Sequence, residues 1–175
     1  GMDIPLIRKF ALGYVEGARS VNPGIEVLQN MTGTTPAAWG DPTKGGELAR
    51  SQFGRGADVV FHAAGATGLG VMRAAKDAGK LTIGCDSNLN CVHPGCVLTS
   101  AVKRVDVAVY AAFDSARQGT WKPGPVVIGL EQDGVDIAID DHNRGLITPE
   151  MEQRLRQAKQ DIIAGRIKVS EYRQP

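Results

Sequence analysis

The sequence predicts an α/β protein with a mostly parallel β-sheet and helices on both faces. Residues 57–87 have the pattern strand, Gly-rich turn, helix and strand, which is a βαβ unit with parallel strands and a right-handed crossover. Helical and strand patterns also alternate along most of the chain, and such alternation is typical of a parallel sheet. In open sheets of this kind, ligands bind outside the carboxyl ends of the strands.

The individual elements follow from apolar periodicity and from the residues that begin and end helices. Asp3 is expected to cap the first helix, with Pro5 in its first turn. The predicted helices cover residues 3–21, 41–54, 71–78, 105–118 and 149–164. The predicted strands cover residues 25–30, 58–61, 81–85, 97–102, 126–130 and 135–139. The chain opens with a helix, whereas a doubly wound fold usually opens with a strand, so an element at the front is expected to be missing.

Length, charge and hydropathy restrict the class of protein. A chain of 175 residues is long enough for one domain with a sizeable core and short for two. The net charge of +1 argues against a nucleic-acid binder, in which a basic surface is expected. No apolar run reaches the roughly 20 residues that a membrane-spanning helix needs. No signal peptide is visible, so the compartment is not readable from the chain itself.

Three cysteines raise the question of a disulfide or a metal site. Cys85 lies within a predicted strand and is expected to be a buried apolar residue. Cys91 and Cys96 flank a short turn and could form a disulfide in an oxidising compartment, with free thiols as the alternative. His93 stands between them, but the spacing is not one that zinc sites use. No metal and no cofactor are therefore predicted.

Two charged residues are expected at the carboxyl edge of the sheet. Asp86 ends the strand that follows the Gly-rich turn, and its carboxylate could accept two hydrogen bonds from vicinal sugar hydroxyls. The alternative is a turn aspartate that is satisfied by the local backbone. Lys103 follows strand 97–102, and its ammonium could pair with Asp86 or donate to the same hydroxyls. The alternative for Lys103 is a solvated surface lysine beside Arg104.

The end of strand 58–61 and the turn after it supply further candidate ligand contacts. His62 lies at the end of the strand, although a single histidine there is more often structural. Ala64 and Gly65 are small, so a flat base could approach the backbone closely. Trp39, in the polar loop 31–40, could be an aromatic residue at the rim of the site or simply a buried one.

Several sequence runs in a fixed order resemble one known family. They are GMDIPLIRKFALGYVEGA, WGDPTKGGELA, GADVVFHAAGATGLGV, IGCDSN, VLTSAVKRVDVAVYAAF and LEQDGVDIAIDD. Together they resemble the basic membrane protein (BMP) family of ABC-transporter substrate-binding proteins, which includes purine-nucleoside receptors of the PnrA type. The resemblance extends over nearly all 175 residues. It implies a type I periplasmic-binding-protein fold, in which two α/β lobes joined by three crossovers hold a ligand between them.

The resemblance also implies that the chain is a single incomplete domain that lacks most of the N-terminal lobe, here called lobe 1. Residues 1–103 correspond to the body of lobe 2, residues 104–133 to a segment that returns to lobe 1, and residues 134–175 to the C-terminal part of lobe 2. The side of helix 105–118 that would face lobe 1 is then expected to be an exposed apolar surface. A homodimer could cover this surface.

For function, the resemblance implies capture of a nucleoside-like solute for an ABC importer, without catalysis. Asp86 matches an aspartate that binds ribose, Lys103 matches a lysine that donates to ribose hydroxyls, and Asp3 matches a position near the rim of the base site. The partners would be a small-molecule ligand and, for the full-length protein, an ABC permease. The parent family is periplasmic or membrane-anchored outside the cytoplasm. Binding by this chain alone is expected to be impaired, because half of the clamp is contributed by lobe 1.

Two other functions are compatible with the sequence. Gly65, Gly68 and Gly70 followed by Asp86 resemble the turn and ribose-binding acid of an NAD(P)-dependent Rossmann oxidoreductase. That turn normally follows the first strand of a domain, and neither a Tyr-x-x-x-Lys pair nor a Gly-x-Ser-x-Gly motif is present. An enzyme is therefore not expected. A cytosolic ligand-sensing or interaction module built on the same lobe is the third possibility.

Overall fold

The computed structural model describes residues 1–173. Within this range the α-helices are α1 (Pro5–Val21), α2 (Pro42–Gly54), α3 (Gly68–Asp77), α4 (Val105–Arg117) and α5 (Pro149–Ile163). The strands are β1 (Val59–Phe61), β2 (Leu81–Asp86), β3 (Val97–Lys103) and β4 (Val135–Ile137). None of the described helices is both long and apolar enough to cross a membrane.

The four strands form one sheet in the order β1-β2-β3-β4. β1, β2 and β3 are parallel, and β4 is antiparallel to β3, with Ala101 opposite Ile137. The βαβ unit predicted from residues 57–87 is therefore present as β1, α3 and β2. The sheet confirms the predicted α/β class with a mostly parallel sheet. Because β1, β2 and β3 are parallel, His62, Asp86 and Lys103 end or directly follow strands at the same edge of the sheet.

Helix boundaries follow the sequence signals closely, with corrections at α1 and at α3, which begins at Gly68 rather than at Val71. The side chain of Asp41 accepts a hydrogen bond from the N–H of Lys44 at 2.9 Å and caps α2 as expected. The expected cap at Asp3 is wrong: Ile4 is the N-cap residue of α1, and it makes no side-chain capping bond. Asp3 instead binds the guanidinium of Arg8, which competes for the carboxylate that would otherwise cap the helix.

Two predicted strands do not form. Residues 25–30 and 126–130 have no strand assignment, although both runs have the β-branched composition of strands. A strand is stable only when a neighbour pairs with its backbone, and neither run has such a neighbour among residues 1–173. Val126 and Val127 are largely exposed. Near the first run, the backbone pairs only at an isolated parallel bridge between Met2 and Gly33.

The core lies between the sheet, α2 and α3. Ala49, Val71 and Ala74 are buried together, and Phe53 and Val60 pack against them. Burial of such side chains contributes about 1–3 kcal/mol each to folding.

Glycines allow α2 and α3 to approach closely. A Cβ added to Gly70 would collide with the carbonyl oxygen of Pro42, and one added to Gly45 would collide with the carbonyl of Thr67. Part of the glycine-rich run therefore serves helix packing.

Candidate site at the carboxyl edge of the sheet

Asp86 and Lys103 are the last residues of two neighbouring strands and form an ion pair. Asp86 lies opposite Val102 in the register between β2 and β3, so the next residue along β3, Lys103, extends past the end of β2. The Nζ of Lys103 is 2.8 Å from Oδ1 of Asp86. The side chains of Lys103 and Asp86 are 52% and 46% exposed. Both charged groups are therefore held in place while remaining open to a molecule from solvent.

The backbone at Asp86 adopts a conformation that is rare for a residue with a side chain. Its φ is 72°, in the left-handed region. The N–H of Ser87 donates to the carbonyl of Cys85 at 2.9 Å, which closes a three-residue γ-turn around Asp86. This turn is strained and uncommon, and such strain is concentrated at binding and catalytic sites.

Cys85 packs beneath this turn as a neutral thiol. It is buried, and its Sγ donates a weak hydrogen bond to Oδ1 of Asp86 at 3.6 Å. Burial, together with the adjacent carboxylate, raises the pKa of Cys85 to about 12. Because the thiolate is the reactive form, Cys85 is not an activated nucleophile.

The Gly-rich turn carries a half-buried tryptophan at the edge. Gly65 has a φ of 56°, and a Cβ at this position would lie 3.3 Å from the carbonyl oxygen of Trp39 and 3.6 Å from its ring. Thr67 fixes this contact, since its hydroxyl donates to the carbonyl of Ala38 and accepts from the N–H of Asp41, both at 2.8 Å. The ring of Trp39 also lies against Gly1, where an added Cβ would collide with it.

Ala64, directly before Gly65, is buried, so its side chain is not open to a ligand that arrives from solvent.

His62 lies beneath the edge. It is only 5% exposed, and neither ring nitrogen has a hydrogen-bond partner among the described residues. Its ring presses against Gly68, where a Cβ would collide with Nδ1. Burial lowers the pKa of His62 to about 4, so the imidazole is neutral near pH 7. In this position His62 supports the turn from inside.

Asp3 is exposed and is held by Arg8. Its two carboxylate oxygens accept hydrogen bonds from Nε and Nη2 of Arg8, both at 2.7 Å. These hydrogen bonds lower the pKa of Asp3. Among residues 1–173, no hydrogen bond or ion pair joins Asp3 to Asp86 or Lys103.

A buried polar network that was not predicted fixes the loop after Asp86. Ser100 donates to the side-chain oxygen of Asn90 at 2.9 Å, and Asn90 donates to Asp140 at 3.0 Å. Asn88 donates to the same carboxylate oxygen at 2.7 Å. Asn143 donates to the carbonyls of Leu98 and Ala138, at 2.8 and 2.9 Å. These contacts bind the loop to a segment some fifty residues later in the chain. The signal in the sequence is the repeated Asn and Asp in SNLN and DDHN.

The cysteines and other metal-binding residue types do not form a metal site in the described part of the chain. No group of three or more His, Cys, Asp or Glu side chains in residues 1–173 is arranged to hold an ion. Cys91 and Cys96 are both free thiols, in place of the disulfide that their spacing allows. Cys91 is exposed, whereas Cys96 is buried and donates to the carbonyl of Lys80 at 3.3 Å. The two sulfurs therefore lie in different surroundings.

The chain is similar to proteins of one known family over nearly all of its length. A family described as ABC transporter substrate-binding protein PnrA-like (Bmp) matches residues 1–173. The chain belongs to this family. Among its relatives, the ABC transporter nucleoside-binding protein BmpA of Lactococcus lactis is 32% identical over 97% of this chain and 51% of its own length. An uncharacterized lipoprotein of Pyrococcus abyssi is 37% identical over 77% of this chain and 35% of its own length.

Solved structures agree with this assignment. An ABC transporter system solute-binding protein from Aeropyrum pernix is similar with a TM-score of 0.76 and 28% identity. The similarity covers 99% of this chain and 56% of that protein. The chain thus spans about half the length of the relatives that match nearly all of it. The fold described above is that of one lobe in such proteins.

Proposed function

We propose that this chain is part of the solute-binding component of an ABC importer and that Asp86 and Lys103 bind the sugar hydroxyls of a nucleoside-like solute. The observation that carries this proposal is the exposed ion pair at the carboxyl ends of parallel strands, with Asp86 held in a strained turn. The family assignment supports solute binding, and the name of the Lactococcus relative, a nucleoside-binding protein, supports a nucleoside as the solute class.

The chemistry of the pair fits a vicinal diol. An ionised carboxylate accepts hydrogen bonds from two neighbouring hydroxyls, and an ammonium donates to the same oxygens. Lys103 also holds Asp86 in position, because their atoms are 2.8 Å apart before any ligand binds. Trp39, which packs against Gly65 and Gly1, supplies an aromatic ring on which a flat base could stack. Solute capture needs no nucleophile, and the neutral Cys85 and His62 are consistent with binding without catalysis.

The chain would supply one side of a two-lobed clamp. Residues 1–103 form the body of lobe 2 in this proposal, residues 104–133 cross to lobe 1, and residues 134–175 complete lobe 2. Exposed apolar residues on α4 support the crossing, since Tyr110 and Phe113 are 73% and 74% exposed. The complete protein would work outside the cytoplasm, bound to the membrane as a lipoprotein or free in the periplasm, and would deliver its solute to a permease.

A nicotinamide-dependent oxidoreductase is less well supported. In the dinucleotide fingerprint, glycines let the pyrophosphate approach the backbone. Here Gly68 accommodates the ring of His62, and Gly70 accommodates the carbonyl of Pro42. Two of the three glycines thus have a packing role within the chain.

The test is titration with nucleosides followed by amide NMR. Inosine is expected to bind the chain weakly, with a Kd of about 1 mM or above, because one side of the clamp is present. Shifts should centre on the amides of Asp86, Lys103 and Gly65. An analogue that lacks both the 2′- and 3′-hydroxyls should cause no comparable shifts. Micromolar binding by this chain alone would contradict the half-clamp, and equal shifts with both compounds would contradict the role of the hydroxyls.

A matched pair of variants distinguishes a specific role of Asp86 from a general effect of removing a surface charge. Asp86→Asn is expected to weaken inosine binding at least about tenfold, because a charge-assisted acceptor is lost. Asp106→Asn removes a comparable exposed ion pair, with Arg104 at 2.8 Å, and should leave binding unchanged. Equal effects of the two substitutions would refute a specific role for Asp86.

A further inference from the structure

The two oxygens of the Asp86 carboxylate have different surroundings. Oδ1 lies 2.8 Å from Nζ of Lys103 and 3.6 Å from Sγ of Cys85. Among residues 1–173, no hydrogen bond or ion pair reaches Oδ2. The carboxylate is also about half exposed. Asp86 therefore uses one oxygen within the chain and leaves the other available to a molecule from solvent.

The contact between Cys85 and Asp86 follows from the γ-turn. In an extended strand, the side chains of successive residues point to opposite faces of the sheet, so neighbours in sequence do not meet. The φ of 72° at Asp86 departs from this geometry, and the thiol of Cys85 lies within hydrogen-bond reach of the next side chain. The turn and the thiol thus act together on the carboxylate.

Of the two groups that donate to Oδ1, Cys85 is the more rigid. The ammonium of Lys103 stands at the end of a flexible four-carbon stem and is half exposed, and exposed ion pairs of this kind fix geometry only weakly. Cys85 is buried, and its backbone is paired with β3 opposite Ala101. The ammonium can follow a carboxylate that rotates, whereas the thiol cannot.

The thiol of Cys85 is a donor at neutral pH. Burial and the neighbouring carboxylate raise the pKa of Cys85 to about 12, so the sulfur keeps its proton. A protonated thiol donates a weak hydrogen bond to a carboxylate oxygen, whereas a thiolate would repel it.

We propose that Cys85 is a positioning residue that acts through Asp86. Its thiol and the ammonium of Lys103 hold Oδ1, so that Oδ2 is the oxygen that accepts a hydrogen bond from a hydroxyl of the solute. The effect of Cys85 on binding rests on the proposed function. The orientation of the carboxylate is a property of the chain without solute, so it can be measured separately.

The first measurement concerns the orientation of Asp86 in the chain without solute. Three-bond NMR couplings between Hα and the two Hβ protons of Asp86 report whether χ1 occupies one rotamer or several. The wild-type chain and Cys85→Ser should each show one rotamer, because both have a donor at position 85. Cys85→Ala should show averaged couplings. Averaging in the wild-type chain, or a single unchanged rotamer in Cys85→Ala, would overturn the positioning role.

The second measurement is titration with inosine. Cys85→Ala is expected to raise the Kd about threefold, because one weak hydrogen bond no longer orients the acceptor, and Cys85→Ser should retain the wild-type Kd. Cys96→Ala is the matched control. It removes another buried thiol, which donates to the carbonyl of Lys80 at 3.3 Å, and should change neither the couplings of Asp86 nor the Kd. An equal rise in Kd for Cys96→Ala would overturn the specific role of Cys85.

The positioning role and the proposed function fail in different ways. If the wild-type chain does not bind inosine, or if Asp86→Asn binds it as well as the wild-type chain does, the proposed function is wrong. The couplings then still decide whether Cys85 orients the carboxylate. If Asp86→Asn weakens binding but Cys85→Ala changes neither the couplings nor the Kd, the proposed function stands and the role of Cys85 is refuted.

Discussion

α3 and α4 each follow a parallel strand, yet they differ completely in burial. Five of the ten residues of α3 are buried, and Met72 is 0% exposed. None of the thirteen residues of α4 is buried, although its sequence is at least as apolar. Apolar character therefore does not decide whether a helix is buried. The presence of a surface to pack against decides it, and α4 has none within the described chain.

The largest expected effect on stability comes from truncating one large apolar side chain in each helix. Met72→Ala should lower the free energy of unfolding by about 3 kcal/mol, because it leaves a cavity in a packed core. At concentrations where the chain is monomeric, Phe113→Ala should change it by no more than about 0.5 kcal/mol, because the ring is then in solvent. Urea unfolding measures both, and similar losses for the two variants would show that α4 is packed in solution.

The buried histidine gives the next largest effect, as a dependence of stability on pH. The unfolded chain binds a proton at His62 near its ordinary pKa of 6.5, whereas the folded chain does so only near a pKa of about 4. The free energy of unfolding should therefore fall by about 3 kcal/mol as the pH falls from 6.5 to 4.

His62→Gln provides the control for this prediction, because glutamine does not titrate. The unfolding free energy of the wild-type chain minus that of the variant should fall by about 3 kcal/mol as the pH falls from 6.5 to 4. A constant difference from pH 7 to pH 4 would show that His62 is not held neutral by the fold.

A smaller contrast concerns two serines. Ser100 is fully buried and binds both Asn90 and the N–H of Leu89, whereas the hydroxyl of Ser115 on α4 donates to a carbonyl at the surface. Ser100→Ala should cost about 1–3 kcal/mol, because it leaves buried polar groups unpaired. Ser115→Ala should cost less than about 0.5 kcal/mol. Thermal unfolding measures the stability of both variants. Equal losses for Ser115→Ala and Ser100→Ala would contradict the prediction that burial makes Ser100 the more important of the two.

A substitution on the exposed face of α4 should have the smallest effect on stability. It should change the association of the chain instead. Tyr110, Phe113 and Val109 form an apolar surface that a second copy can cover. Sedimentation should detect a concentration-dependent dimer, and Phe113→Ser should weaken it at least about tenfold. A strictly monomeric chain at high concentration would refute the homodimer.

The sequence was sufficient for the elements whose signals are local. Pro5, Pro42 and Pro149 mark the starts of three of the five described α-helices. Asp86 and Lys103 are expected from the sequence at the same edge, where they form an ion pair. The failures concern residues whose partners are distant or absent. Residues 25–30 have the pattern of a strand but no neighbouring strand to pair with among residues 1–173.

Side-chain partners were also beyond the reach of local patterns. Asp3 binds Arg8 rather than capping α1. The bonds from Asn88 and Asn90 to Asp140 connect residues about fifty positions apart, which no window of local periodicity includes. The burial of His62 likewise depends on Gly68, whose missing side chain leaves room for the imidazole ring.

The γ-turn at Asp86 has a consequence for the thermodynamics of recognition. Its strain is balanced by pairing between β2 and β3 and by the polar network around Asn90, so folding has already restricted the carboxylate before a solute arrives. The conformational entropy of ordering this acceptor is thus lost during folding and not during association. A hydroxyl-bearing solute would meet a preorganised group, and discrimination among solutes would depend on the positions of their hydroxyls rather than on adjustment of the protein.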